Sequence, residues 1–388
     1  MKQPIRKKII QSNNIDTSKT TYTLLVDGNN LLRISLVNHR LNEKGKDCGA
    51  VITFLKMLGD VLKKKDFDYC VVVFDGEQSG ILRYQYYKDY KANRDKNYAS
   101  HANDTDYDRL LNDFAKRTLS FSRAKQSEIN SENEDESFER QKEILNYILE
   151  ELCIRQYEFD SVEGDDIISY YVNNKKDNEK VVIMSSDKDL TQLISKNVIV
   201  YNPRKRIFIT EENCVKEIGI RSDNVVLEKM LCGDASDNIK GVKGLGEKTL
   251  INLFPQLLTE KVDLKSIKAL SQELLDRRKA EKKKPLKSLE NIINGITDGC
   301  QGDSLYEINE KIIDLSSPLL TKEAKNELND ILYVPLDITC RGVKNIYKII
   351  EAYKINDLMN EKRFGEIFAP FARIMKMEKS RFEDFQKK

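Results

Sequence analysis

The chain has 388 residues, enough for one large domain or two ordinary ones, and a composition (33% charged, 40% hydrophobic) that suits a water-soluble protein. Bases and acids nearly balance, 65 to 63, so the net charge of +2 excludes no partner and the question becomes where each sign collects. No apolar run approaches membrane-spanning length, the basic start Met1–Ser12 lacks a signal-peptide core, and the seven cysteines form no CxxC pair, which points to reduced thiols in a cytosol-like compartment.

Residues 1–20 read as a flexible, basic leader. Thr21–Val26, TYTLLV, is a buried-strand signal that delivers Asp27, and Gly28-Asn29-Asn30-Leu31-Leu32 opens a helix. Ala50–Lys65 carries Val51, Phe54, Leu55, Leu58 and Leu62 at helical spacing. Tyr69–Phe74, YCVVVF, is a second strand and delivers Asp75, so the helix between them crosses over in a right-handed βαβ unit. Residues 76–97 then interleave Arg83, Lys88, Lys91, Arg94 and Lys96 with Tyr84, Tyr86, Tyr87 and Tyr90. Such cations contact phosphates, and such rings stack on bases. A solvated helix face with snorkelling lysines is the plainer account, but the position directly behind Asp75 favours nucleic acid. Ser100–Ser137 is polar, with an acidic patch at Glu132–Glu136.

Glu139–Glu151 is a helix by pattern, and Glu163-Gly164-Asp165-Asp166 reads as the first turn of the next, where acids suit the helix dipole. Val181–Met184 is a third buried strand, ending in Ser185-Ser186 and then Asp187 and Asp189; Leu190–Ile194 continues as a short helix. Asn197–Tyr201 and Arg206–Thr210 form a hairpin around Asn202-Pro203-Arg204-Lys205. Val225–Cys232 is helical and leads through a turn carrying Asp234 and Asp237 into a glycine-rich stretch. There Gly241, Gly244 and Gly246 let the backbone approach a phosphate, a helix from Glu247 aims N–H groups at it, and Lys240, Lys243 and Lys248 add charge. A ligand-free glycine hairpin is the alternative. The basic stretch 276–287 tracks a DNA backbone or is only a charged helix and linker, with the second slightly favoured. Gly295–Asp303 reads as a loop. Residues 305–375 read as helices with one short strand, Ile331–Val334, and the tail carries Phe382 and Phe385, which dock on a partner or pack back on the domain.

Three strands that each end in an aspartate are hard to explain as three independent caps. In a parallel sheet those ends share the carboxyl edge, where open α/β folds place their sites. Close carboxylates repel unless a cation neutralises them. With only two histidines and no cysteine pair, the cation suited to this donor set is a hard, oxygen-preferring one, Mg²⁺ or Mn²⁺ rather than zinc. Carboxylate clusters holding two such ions serve phosphodiester hydrolysis.

The pieces LLVDGNNLL, VVFDGEQSG, LRYQYYKDYKANR, VEGDD, SSDKDLTQL and GDASDNIKGVKGLGEKTL, in this order, resemble the flap endonuclease / 5′→3′ exonuclease family, nearest to stand-alone phage enzymes of the ribonuclease H type. The resemblance covers about Tyr22–Leu250. It implies that Asp27, Asp75, Glu163, Asp165 and Asp187 ligate a first, catalytic metal, and that Asp166, Asp189, Asp234 and Asp237 ligate a second, with Asp187 near both. It implies that Arg83 and Lys91 reach from a helical arch to the scissile phosphate, with Tyr87, Tyr90 and Arg94 as DNA contacts beside them. The glycine stretch (Lys240, Gly241, Lys243, Gly244, Gly246, Lys248) resembles a helix–three-turn–helix element that grips duplex DNA and, in relatives, holds K⁺. Gly164 stands where relatives carry alanine.

The expectation is therefore an α/β fold: a PIN-like, mostly parallel central sheet flanked by helices, with an arch over about 76–137. The nuclease core would span 21–215, the helix–three-turn–helix 216–260 and a mainly helical C-terminal region 261–388. The activity expected is that of a free-standing, two-Mg²⁺ 5′ nuclease, with Mn²⁺ as a substitute. It would cut branched DNA and RNA–DNA duplexes and remove primers or flaps during replication. It would act as a cytoplasmic monomer, in the host cytoplasm if phage-encoded, with a sliding clamp or single-strand-binding protein as partner and no membrane. A PIN-like ribonuclease and a non-catalytic branched-DNA-binding protein are the alternatives.

Overall fold

The computed structural model describes residues 19–92, 134–297, 304–358 and 360–387. Six strands build the central sheet: β1 (Thr21–Asp27), β2 (Tyr69–Val73), β3 (Arg155–Tyr157), β4 (Glu179–Met184), β5 (Val198–Asn202) and β6 (Ile207–Ile209). Their order is β3-β2-β1-β4-β5-β6, all parallel except β6, which pairs antiparallel with β5. Helices α1 (Gly28–Ser35), α2 (Gly49–Leu62), α3 (Ile81–Tyr84), α4 (Glu134–Glu151) and α5 (Gly164–Asn173) follow.

The apolar runs are continuous because both faces of the sheet are covered. Leu24, Val26, Val72 and Met184 pack under α1, α2 and α4. Leu25, Val71, Val73 and Ile183 pack under α5. The register sets Val26 beside Met184 and Asp27 beside Val73, so β1, β2 and β4 end level and their following loops share one edge.

The next stretch holds α6 (Cys214–Ile218), α7 (Val225–Cys232), a two-residue ladder of β7 (Gly233–Asp234) with β8 (Ile239–Lys240), α8 (Glu247–Leu253), α9 (Leu264–Ala280), α10 (Lys287–Asn294) and α11 (Ser304–Ile313). Residues from Ile220 to Tyr306 share a separate core. Then come α12 (Lys322–Ile331), α13 (Val343–Ala352), α14 (Glu361–Phe368) and α15 (Ala372–Gln386). These do not form a unit of their own. Leu315, Leu328 and Leu332 pack on the α5 face, while Ile346, Ile350, Phe364 and Phe371 pack on the α2 face.

Five strands lie where the sequence predicts them. The predicted Ile331–Val334 strand is absent: Ile331 closes α12, and Leu328 and Leu332 are buried one helical turn apart, a helical rather than an alternating pattern. The predicted Leu190–Ile194 helix is a 3₁₀ turn over Asp189–Leu193. Strand β3 has no apolar run to announce it. Its Arg155 is almost fully buried against Glu378 of α15, at 3.1 Å, and the Val334 carbonyl, at 2.7 Å. The expected tail is helical, with Phe385 exposed. Of the arch expected over 76–137, residues 93–133, and Arg94 with them, lie outside the described residues. Among the described residues no helix is long and apolar enough to cross a membrane.

Candidate active site

A cleft of about 230 Å³ opens at the carboxyl edge of the sheet, and eight of the nine expected acids line it: Asp27, Asp75, Glu163, Asp165, Asp187, Asp189, Asp234 and Asp237. Asp27 ends β1 and caps α1 by accepting from the Asn30 N–H at 3.0 Å; the Ser185 hydroxyl, just past β4, donates to it at 2.8 Å. Asp75 follows β2 and accepts from the Gly164 N–H at 2.7 Å and from the Asn29 amide at 2.7 Å. Beyond β4, the Ser185 hydroxyl accepts from the Asp187 N–H at 3.0 Å, and Asp187 accepts from the Asp189 N–H at 2.9 Å. The β7–β8 turn brings Asp234 and Asp237 across from a separate core. The sequence reading missed Asn29, Asn30 and Ser185, although all three sit inside its motifs. Polar side chains beside strand-end aspartates were the available signal.

The electrostatics separate these acids. Burial, with Asp75 and Asp187 nearby, pushes the Asp27 carboxyl up to about 7 despite its hydrogen bonds. Burial and the charges of Asp187, Asp27, Asp75 and Asp189 push Asp165 well above the carboxylate range. Asp165 has no hydrogen-bond or ion-pair partner among the described residues. A buried carboxyl set among four others and paired with no cation is what a bound metal would relieve, and the donor set is all oxygen. Among the described residues no three acids close a cage around an ion; they line a cleft instead.

Opposite these, Glu163, expected among the ligands of the first metal, is instead a stable anion paired with Arg83 and Lys91. Burial would raise its carboxyl, but Arg83 and Lys91 overcome this and hold it at about 2. Lys91 Nζ lies 2.5 Å and Arg83 2.8 Å from its oxygens. Lys91 has a left-handed backbone (φ +55°), with its N–H donating to the Asp237 carbonyl at 2.9 Å. Strain of this kind persists where surrounding structure fixes it. Lys229 of α7, unremarked in the sequence reading, pairs with Asp189 and with Asp234, the latter at 2.6 Å. Burial and Asp187 raise Asp189 to about 6 against the pull of Lys229.

The ninth acid, Asp166, is not in the cleft. It is fully buried, accepts from both terminal nitrogens of Arg83 at 2.5 and 3.2 Å, and accepts from the Leu319 N–H at 2.9 Å. Consecutive helical residues point about 100° apart, so Asp165 faces the cleft and Asp166 faces away from it. Arg83 borders the cleft but is buried, its guanidinium committed to Asp166, Glu163 and the Ile312 carbonyl. It holds Glu163 rather than reaching toward solvent. Tyr90 is likewise no stacking platform: it is buried, and its hydroxyl donates to Glu163 and Asp237. Tyr87 is half-buried, its hydroxyl donating to the Asn238 carbonyl at 3.1 Å.

Among the glycines, Gly241 serves packing. A Cβ there would stand 2.1 Å from the Cys232 carbonyl carbon. Gly244 (φ +76°) and Gly246 face open space, beside exposed Lys240, Lys243 and Lys248.

A pH effect follows. A carboxyl raised in the fold from 3.8 to about 7 binds its proton more tightly than the unfolded chain does, so its stabilising contribution is full below about 4 and lost as pH rises through about 7. The chelated protein should therefore melt at a lower temperature at pH 7.5 than at pH 5, and a divalent cation should reverse the loss at pH 7.5. Equal melting at both pH values, unmoved by cation, would contradict the raising of the Asp27 carboxyl by burial and by its acidic neighbours.

The sequence profile described as "5'-3' exonuclease, N-terminal resolvase-like domain" matches residues 22–219. The chain is 30% identical over 212 residues to a 5'-3' exonuclease of Aquifex aeolicus (strain VF5), covering 54% of this chain and 60% of that one. It is 30% identical over 263 residues to DNA polymerase I of Bacillus subtilis (strain 168), covering 65% of this chain and 26% of the polymerase. The chain thus spans about a quarter of that polymerase and three fifths of that exonuclease. A crystal structure of the T5 D15 protein co-crystallised with metal ions shares the fold, with a TM-score of 0.50 at 17% identity over 86% of this chain and 98% of that one.

Proposed function

The chain belongs to the 5′-3′ exonuclease family, and from that premise we propose that it is a divalent-metal-dependent, structure-specific 5′ nuclease. It hydrolyses phosphodiester bonds in branched DNA and RNA–DNA duplexes, as exonuclease and flap endonuclease, and removes primers or flaps during replication. The observation that carries this reading is the convergence of Asp27, Asp75, Asp165 and Asp187 on one cleft with Lys91 beside them. Two Mg²⁺ ions, with Mn²⁺ as a substitute, held by Asp27, Asp75, Asp165 and Asp187 on one side and by Asp187, Asp189, Asp234 and Asp237 on the other, would activate water and offset phosphate charge.

The chain's own groups do the rest. Asn29, Ser185 and the Gly164 N–H fix the rotamers of Asp75 and Asp27 before any ligand arrives. That removes ordering from the reaction step. Lys91, one quarter exposed and paired with Glu163, is the ammonium best placed to turn toward an entering phosphate. Lys229 bridges Asp189 and Asp234 and so tethers the β7–β8 turn to the loop after β4. The open turn at Gly244 and Gly246 would receive the duplex backbone, and K⁺ would be the ion held there. Phe385, exposed on α15, would serve as a contact for a sliding clamp or single-strand-binding protein. The enzyme acts as a monomer in the cytoplasm.

Lys91→Ala tests the assignment. Loss of a donor aimed at developing charge slows chemistry about 10²–10³-fold. Single-turnover cleavage of a 5′-flap substrate at saturating enzyme should fall by that much, with affinity changed far less. A near-normal single-turnover rate would remove Lys91 from the chemistry.

A further inference from the structure

Residues 276–287 hold seven cations and two acids, and the nuclease reading leaves them without a role. The structure places them at the tip of a helical hairpin. Helix α9 ends in Arg277, Arg278 and Lys279, the chain turns through Lys282 (φ +55°), and α10 departs at Lys287. The tip is built rather than loose: the Lys283 N–H donates to the Arg278 carbonyl at 2.8 Å, and Arg278 Nε donates to the Lys284 carbonyl at 2.9 Å. Arg277, Lys279, Lys282, Lys283, Lys284 and Lys287 are all exposed. Lys283 pairs with Glu281 and Arg277 with Glu273, whereas Lys279, Lys282, Lys284 and Lys287 form no ion pair with any described residue. Four uncompensated cations on one rigid tip repel one another, a cost that a polyanion would offset.

The hairpin is also fastened to the glycine turn. The Asn291 amide donates to the Lys243 carbonyl at 2.9 Å, and the Lys243 N–H donates to the Ile296 carbonyl at 2.8 Å. Leu289 and Ile292 share a core with Leu245 and Leu250. Helix α10 has eight residues, about 12 Å, and runs from the tip toward Lys243. Phosphates of one strand advance about 3.4 Å per nucleotide along the axis, and Asn291, the residue tied to Lys243, lies four residues after Lys287, so both basic loci fall within a few nucleotides of one duplex.

We propose that the α9–α10 tip is a second backbone contact for duplex nucleic acid, extending the footprint of the glycine turn. The inference rests on the nuclease reading and deepens it. Charge complementarity and the rigid tie to Lys243 commit it to a duplex rather than to an acidic protein. The contact supplies affinity, not chemistry.

The test is the combined variant Lys279→Gln, Lys282→Gln, Lys284→Gln and Lys287→Gln, all surface positions outside the cleft. Affinity for a fluorescent 5′-flap duplex is measured in EDTA between 50 and 200 mM KCl, alongside cleavage at saturating enzyme with Mg²⁺. Each lost phosphate contact removes about 0.9 from the log–log salt slope. We expect the slope to fall by about 2–4 and binding at 100 mM salt to weaken at least tenfold, while the saturating cleavage rate stays within twofold. Trimming the duplex should weaken wild-type binding and erase the difference between wild type and variant. An unchanged slope, or an equal loss on a single strand without duplex, would overturn the proposal. A wild type that binds duplex with the steep slope yet never cuts would count against the nuclease reading alone.

Discussion

Asp187→Asn should abolish cleavage, by about 10³-fold or more, while duplex affinity in chelator stays within a few-fold of wild type. Asp187 is the carboxylate whose charge acts on Asp27, Asp165 and Asp189 together, from the loop just beyond β4. Removing its charge lowers the repulsion within the cluster, so the fold should not suffer; the chelated variant should melt at or above the wild-type temperature. What is lost is an anionic ligand between the two proposed ion positions, and with it the electrostatic organisation that phosphodiester hydrolysis needs. Single-turnover cleavage, binding and melting are measured on one preparation. Activity surviving within tenfold would remove Asp187 from the centre, and affinity lost in parallel with activity would make it a binding residue.

Arg83→Ala should produce the largest loss of stability, about 3–5 kcal/mol, because it leaves Asp166 and Glu163 buried without their cation. Arg83 also donates to the Ile312 carbonyl, and Asp166 accepts from the Leu319 N–H, so the pair ties the segment after β2 to α5 and to the chain around α11. Arg83→Lys should recover only part, since an ammonium cannot satisfy the two oxygens of Asp166 and Glu163 together. Urea unfolding in chelator measures both. A loss below about 1 kcal/mol in Arg83→Ala would mean that the pair is dispensable and would return Arg83 to a role in contacting phosphate.

The edge of the sheet was legible because its signal is local. An apolar run followed by Asp27, Asp75 or Asp187 states both the strand and the place where its acid emerges. The glycine turn was legible for the same reason. What the sequence hid depends on distant partners. Strand β3 contains Arg155, which becomes a core residue only because Glu378, 223 positions later, neutralises it. Asp165 and Asp166 look equivalent in the chain, but helical geometry sends one to the cleft and the other to Arg83. Tyr90 sits in a basic, aromatic stretch that reads as a nucleic-acid surface, yet its ring is buried beside Ile239 and Ile312 of later elements. Lys229 reads as one charge on an amphipathic helix, and only the fold sets it between Asp189 and Asp234. The helices after Leu315 carried no motif, so nothing in their sequence said that they would close over both faces of the sheet.

Cleavage of a 5′-labelled flap duplex with Mg²⁺ and with EDTA tests the central claim most directly. The account predicts cutting near the flap junction in Mg²⁺, products bearing a 5′-phosphate, and no cutting in EDTA. Tight binding with no cutting in either Mg²⁺ or Mn²⁺, or cutting that persists in EDTA, would contradict it.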